Sequence, residues 1–127
     1  EGIRVESIPG PTAFVSALII SGLPTDKFIF EGFLSPKSGK RKKRILELSE
    51  EKRTLIFYES PHRFLETLED LLSILGDRKT SVARELTKKF EEVKRGKLSE
   101  IKEYFEAAKV RGEFVLIVEG KREDGKT

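Results

Sequence analysis

From Thr54 to Leu75 the chain reads TLIFYESPHRFLETLEDLLSIL. Thr54 to Tyr58 is a continuous apolar run with no polar alternation, the pattern of a strand buried on both faces. Ser60 and Pro61 follow as a helix start, serine suited to the N-cap and proline to the first helical residue. Phe64, Leu65, Leu68, Leu71, Leu72 and Leu75 then recur at helical spacing on one face, and Gly76 stops the pattern. A doubly buried strand that runs straight into an amphipathic helix needs covering layers on both sides. That requirement points to an α/β fold.

The rest of the chain repeats the alternation. Ile3 to Ile8 reads as a short strand or extended lead-in, broken by Pro9-Gly10-Pro11. Thr12 to Ser21 is apolar on nearly all sides and is expected to be a buried helix, stopped by Gly22 and Pro24. FIFEGF, Phe28 to Phe33, is a strand. A polar, basic stretch from Ser35 to Arg44 leads into a short helix expected over Lys42 to Glu51. Thr80 to Leu86 is a further strand, and Glu91 to Lys97 a weaker one. Ser99 is the expected cap of a helix reaching Lys109, and Gly112 to Glu119 contains the buried strand FVLIV. The expected architecture is a mixed sheet of about five strands flanked by helices, one domain over residues 1–120 with a flexible tail at 121–127.

Composition narrows the chemistry. Apolar and charged residues each make up 37% of the 127 residues, and the net charge is +3. With no Cys there is no disulfide, thiolate metal site or cysteine nucleophile, and a single His argues against a histidine metal centre. The apolar stretch Ala17 to Ile20, with Phe14 and Val15 before it, is too short to span a bilayer. The charged start EGIRVES is not a signal peptide. A chain without any Met reads as a piece of a longer protein.

Two segments carry candidate chemistry. ESPHR is a strand-to-helix turn, and such turns sit at the carboxyl ends of strands, where α/β sheets bind ligands. Glu59 and Tyr58 are therefore candidates to line a cleft, while His62 has the bland alternative of a solvated helix residue. KSGKRKKR, Lys37 to Arg44, holds six cations in eight residues. Lys37, Lys40, Arg41, Lys42, Lys43 and Arg44 suit a phosphate backbone, whose counterions they would release. No aromatic residue interrupts the run, so it offers no base-stacking platform. ARELTKKFEEV, Ala83 to Val93, places Arg84, Glu85, Thr87 and Lys88 at a strand end. Neither a glycine-rich phosphate loop nor a triad or metal-ligand spacing is present. From the residues alone, the reading is an α/β domain that binds RNA, with no reaction assigned.

The order of motifs adds to this. IPGPTAFVSALIISGLPTDKFIFEGFL, TLIFYESPHRFLETLEDL, ARELTKKFEEVKRGKLSEI and GEFVLIVEG follow one another. Together they resemble the C-terminal half of the tetrapyrrole (corrin/porphyrin) methylase family, in the branch that modifies ribosomal RNA. The resemblance runs from Ile3 to Gly120. It implies an S-adenosylmethionine-dependent methyltransferase whose cofactor lies between two domains, the N-terminal one not being part of this chain. It further implies 2′-O-methylation of a cytidine in 16S rRNA near the decoding site, a cytoplasmic location, a homodimer and no metal. By position, cofactor contacts fall to Tyr58, Glu59, Leu86, Thr87, Phe114 and Val115. Glu59, His62 and Glu85 are the candidates for a catalytic base. The alternatives are a corrinoid or porphyrin methylase domain and a non-catalytic RNA-binding or dimerisation module.

Overall fold

The structure, a computed structural model, describes residues 13–85, 90–108 and 112–122. The expected strand Ile3 to Ile8, the Pro9-Gly10-Pro11 break, Leu86 and Thr87 lie outside these residues. The described elements run α1 (Ala13–Ile20), β1 (Phe28–Phe33), α2 (Ser38–Glu47), β2 (Thr54–Glu59), α3 (Pro61–Leu75), β3 (Lys79–Glu85), β4 (Phe90–Lys97), α4 (Leu98–Glu106) and β5 (Glu113–Val118).

The five strands form one mixed sheet in the order β1-β2-β5-β3-β4. β1 and β2 are parallel, while β5 is antiparallel to both β2 and β3. β1, β2 and β3 therefore all point the same way. The last strand in sequence slots between β2 and β3, which is why LIFY and FVLIV are continuous apolar runs: all six β2 residues are buried, as are Phe114 to Val118 of β5.

The two sheet faces have separate cores. Leu55, Phe57, Val82, Phe114, Leu116 and Val118 pack under α2, α3 and α4. There Phe64 of α3 stacks on Phe114 at 3.8 Å between ring centroids. Ile56, Tyr58, Ala83, Val115 and Ile117 meet Ala17 and Leu18 of α1 on the other face. Arg95 of β4 holds α1 there by donating twice to the Ile20 carbonyl.

Three expectations about elements are corrected. α1 is not buried all round: Ala17 and Leu18 face the sheet, but Val15, Ile19 and Ile20 are exposed, Ile19 by 69%. A lone helix on a sheet face has one side to bury and nothing described over the other. The basic run is not a lead-in to a later helix; it is α2 itself, beginning at Ser38 and ending at Glu47. Arg41, Ile45 and Leu48 share its inward side, so tertiary packing sets the boundaries. Ser99 is not a cap: α4 begins at Leu98, two residues earlier than a Ser99 cap implies, with Lys97 at its N-cap, and the Ser99 amide and hydroxyl both donate to Asp77. At the chain's end, Lys121 donates its amide to the Glu51 carbonyl at 2.7 Å and Arg122 pairs with Glu119, so the first two residues of the expected tail are tied down.

Candidate functional site

The C-terminal ends of β1, β2 and β3 and the start of β5 meet at one end of the sheet. Register places Tyr58 opposite Val115, Glu59 opposite Phe114 and Arg84 opposite Phe114. Residues expected near the cofactor thus come together although they lie far apart in the chain. Their side chains are another matter. Tyr58 is 6% exposed, Phe114 and Val115 are fully buried, and each belongs to one of the two cores. The Phe114 and Val115 side chains are thus closed off within the cores and Tyr58 nearly so, which leaves them little surface for a ligand; Leu86 and Thr87 lie outside the described residues.

Glu59 needs the largest correction. Its carboxylate is turned inward, 2% exposed. Oε1 accepts the Thr67 hydroxyl at 2.6 Å and Oε2 accepts the Ser60 amide at 2.9 Å. Both oxygens are thus engaged at the N-terminus of α3, where the helix dipole favours a negative charge. Ser60 sits at the N-cap position as expected but makes no side-chain cap, and its own amide is taken up by Glu59. A buried carboxylate with both oxygens committed is not a free general base. Thr67 escaped sequence reasoning, yet a signal existed. It lies three residues after Phe64 on the apolar stripe, where a polar side chain must find a buried partner. His62, by contrast, is exposed in the first turn of α3. Glu85 ends β3 at this same end of the sheet.

The basic helix divides into two groups. Lys37, Lys40, Lys42 and Lys43 are exposed. Arg41 is 1% exposed and its Nε donates to Asp70 Oδ2 at 2.7 Å, so its assignment as an RNA contact is corrected: it has no route to a phosphate. Arg44 grips Glu31 of β1 with two parallel bonds, at 2.8 and 2.9 Å, and also reaches Glu47. These carboxylates raise its pKa further, and its charge is already answered. The acids that answer these two arginines come from β1 and α3, with Glu47 added from α2 itself.

β1 shapes the edge beside this helix. Phe28 pairs with Thr54, Phe30 with Ile56 and Phe33 with Tyr58, with a bulge between Phe30 and Gly32. Gly32 has a φ of +75°, which suits glycine. The extra residue keeps Phe28, Phe30 and Phe33 all on the α1 face, where strict alternation would have turned Phe33 away. Phe14, Phe28, Phe30, Phe33 and Tyr58 form one aromatic cluster by ring contact. Elsewhere, a cleft of about 390 Å³ opens beside Ser49, Asp77, Arg78 and Gly120, at the opposite end of the sheet. Arg78 gives its donors to the carbonyls of Ser49, Leu75 and Glu119, a purely structural knot.

Residues 1–102 match the family described as Tetrapyrrole (Corrin/Porphyrin) Methylases. The chain belongs to this family. Methylase relatives include proteins named ribosomal RNA small subunit methyltransferase I. That of Halalkalibacterium halodurans is 53% identical over 97% of this chain and 43% of its own length, and that of Thermotoga maritima 48% identical over 95% and 54%. The chain thus spans about half the length of these curated relatives. Among solved structures, the methyltransferase CobJ superposes with a TM-score of 0.59 at 17% identity, over 89% of this chain and 50% of CobJ. The methylase fold therefore accounts for the five-stranded mixed sheet and its flanking helices.

Proposed function

We propose that this chain is the C-terminal domain of an S-adenosylmethionine-dependent methyltransferase that acts on small-subunit ribosomal RNA. The observation that carries the reading is the 53% identity, over 97% of the chain, to a protein named ribosomal RNA small subunit methyltransferase I. The finer reading is transfer to the 2′-hydroxyl of a cytidine in 16S rRNA near the decoding site, in the cytoplasm, by a homodimer. Its support is the resemblance of the YESPHR, ARELTK and RGEFV segments to that branch of the family.

The bound cofactor supplies a methyl group on a sulfonium, already joined to a good leaving group. This chain's residues have the tasks of holding and aligning. The cofactor is assigned to the sheet end where β2 and β3 finish and β5 begins. Lys37, Lys40, Lys42 and Lys43 supply a charged face for a phosphate chain. His62 stands exposed at the first turn of α3 as a candidate to accept the 2′-hydroxyl proton, with Glu85 at the end of β3 as the second.

The test is incorporation of labelled methyl groups by the full-length protein. Transfer from S-adenosylmethionine to 16S rRNA in small subunits is expected, and the 127-residue chain alone is expected to be inactive. Label appearing in a corrinoid or porphyrin and not in RNA would replace this reading with the small-macrocycle alternative. Exchanging Lys40, Lys42 and Lys43 for glutamine should weaken RNA binding and flatten its salt dependence by about 0.7–0.9 in log–log slope per lost phosphate contact, leaving cofactor affinity unchanged.

A further inference from the structure

The most basic helix of the chain keeps one arginine entirely out of water. Besides its bond to Asp70, Arg41 donates from Nη1 to the carbonyls of Pro36 at 3.2 Å and Ser35 at 3.4 Å. Its Nη2 lies 3.6 Å from Glu66 Oε2. One guanidinium thus joins the β1–α2 turn to the middle of α3.

An interior ion pair is a weak reason for stability, since well-packed apolar residues often replace one without loss. What they cannot replace is the fork to the two carbonyls. Those carbonyls belong to the turn at the C-terminal end of β1, the end where β2 and β3 also finish. The turn delivers Lys37 as the N-cap of α2 and Lys40 one turn later. α2 has little local reason to begin there. It opens with Ser38 and Gly39, has no side-chain cap and no acidic residue in its first turn, and crowds cations at its positive end. A tertiary contact must hold what local chemistry does not.

We infer that Arg41, oriented by Asp70, is a positioning residue that fixes the β1–α2 turn and so sets where the exposed lysines of α2 stand for an RNA phosphate chain. The ligand in this inference rests on the ribosomal-RNA reading; the clamp on the turn does not.

The experiment uses the full-length protein with Arg41→Met and Asp70→Leu together, removing both charges while keeping apolar bulk. The folded variant should retain a thermal midpoint close to the parent's. Amide hydrogen exchange across residues 35–40 should rise about tenfold or more, because local opening no longer breaks the fork. Affinity for a 16S rRNA transcript should fall about tenfold with a shallower salt slope, while S-adenosylmethionine affinity stays put. Arg41→Lys, which keeps a charge but loses the planar fork, should fall between parent and double variant. Unchanged exchange at 35–40 in the folded double variant would overturn the clamp. Raised exchange with parental RNA affinity and slope would overturn the positioning role. If the double variant does not fold, Asp70→Asn carries the same readouts, and parental exchange there overturns the clamp as well. A parent protein with no measurable affinity for the transcript at low salt would sink the RNA reading, with the exchange measurement still deciding the clamp.

Discussion

At Gly120 a single hydrogen stands where any other residue needs a carbon. A Cβ there would lie 2.2 Å from the Lys52 carbonyl oxygen and 2.4 Å from that of Arg53. Both obstacles are backbone, so no side chain can swing aside. Gly120→Ala is expected to destabilise the chain by about 3 kcal/mol, at the upper end of the usual overpacking cost, measured by urea unfolding; a loss below about 1 kcal/mol would mean that the segment shifts freely. Tyr104 offers a residue-scale test in pH. Its hydroxyl donates to Glu92, whose carboxylate holds the proton on and raises the phenol's pKa, with Arg84 opposing. A raised folded value means that this contact supports folding below the ordinary phenol pKa of about 10 and is lost as pH climbs through the raised value. In a spectroscopic titration, Glu92→Gln should move the exposed tyrosine's midpoint down toward about 10. An unmoved midpoint would show that Glu92 does not set it.

At the scale of elements, the β1 bulge is the device with most consequence. It needs a left-handed residue, and Gly32 provides it with room to spare, its nearest neighbour being the Phe30 ring at 3.7 Å. The cost of Gly32→Ala should therefore be conformational and not steric, about 1–2 kcal/mol. Gly32→Asn should cost less than alanine, because asparagine tolerates that region. The two variants compared by denaturant midpoint decide the matter, and equal losses would point to a steric cause. α2 teaches the complementary lesson. Its helix is specified less by propensity than by Arg41 and Arg44, which bind it to α3 and β1 respectively.

For the whole molecule, the unequal cover of the two sheet faces matters most. Three helices pack on one face. α1 alone covers the other among the described residues, and Phe28, Phe30 and Phe33 remain 38%, 45% and 42% exposed there beside exposed Val15 and Ile19. Half-exposed aromatic side chains in mutual contact favour burial against a partner. The proposed homodimer gives that face an occupant, a second copy of the chain. Sedimentation equilibrium of the chain at micromolar concentrations should then show a dimer, and Phe30→Glu should shift it to monomer with the unfolding transition still cooperative. A parent that sediments as a monomer at every concentration would remove the second copy from this face.

The alternation of strands and helices was written in the local sequence, and for a physical reason. LIFY and FVLIV are continuous apolar runs because strands in the middle of a covered sheet bury both faces, and the stripe from Phe64 to Leu75 has helical period because one side of α3 meets that sheet. The motif order likewise carried the family. The position of β5 between β2 and β3, and so the meeting of Tyr58 with Val115, needed the topology. Neither the burial of Arg41 nor the inward turn of Glu59 could be read from the chain. Arg41 finds Asp70 29 residues away, and Glu59 finds Thr67 two helical turns on. Composition reports how many charges a segment holds. Whether a given charge faces water or a buried partner depends on which distant segment the fold lays against it.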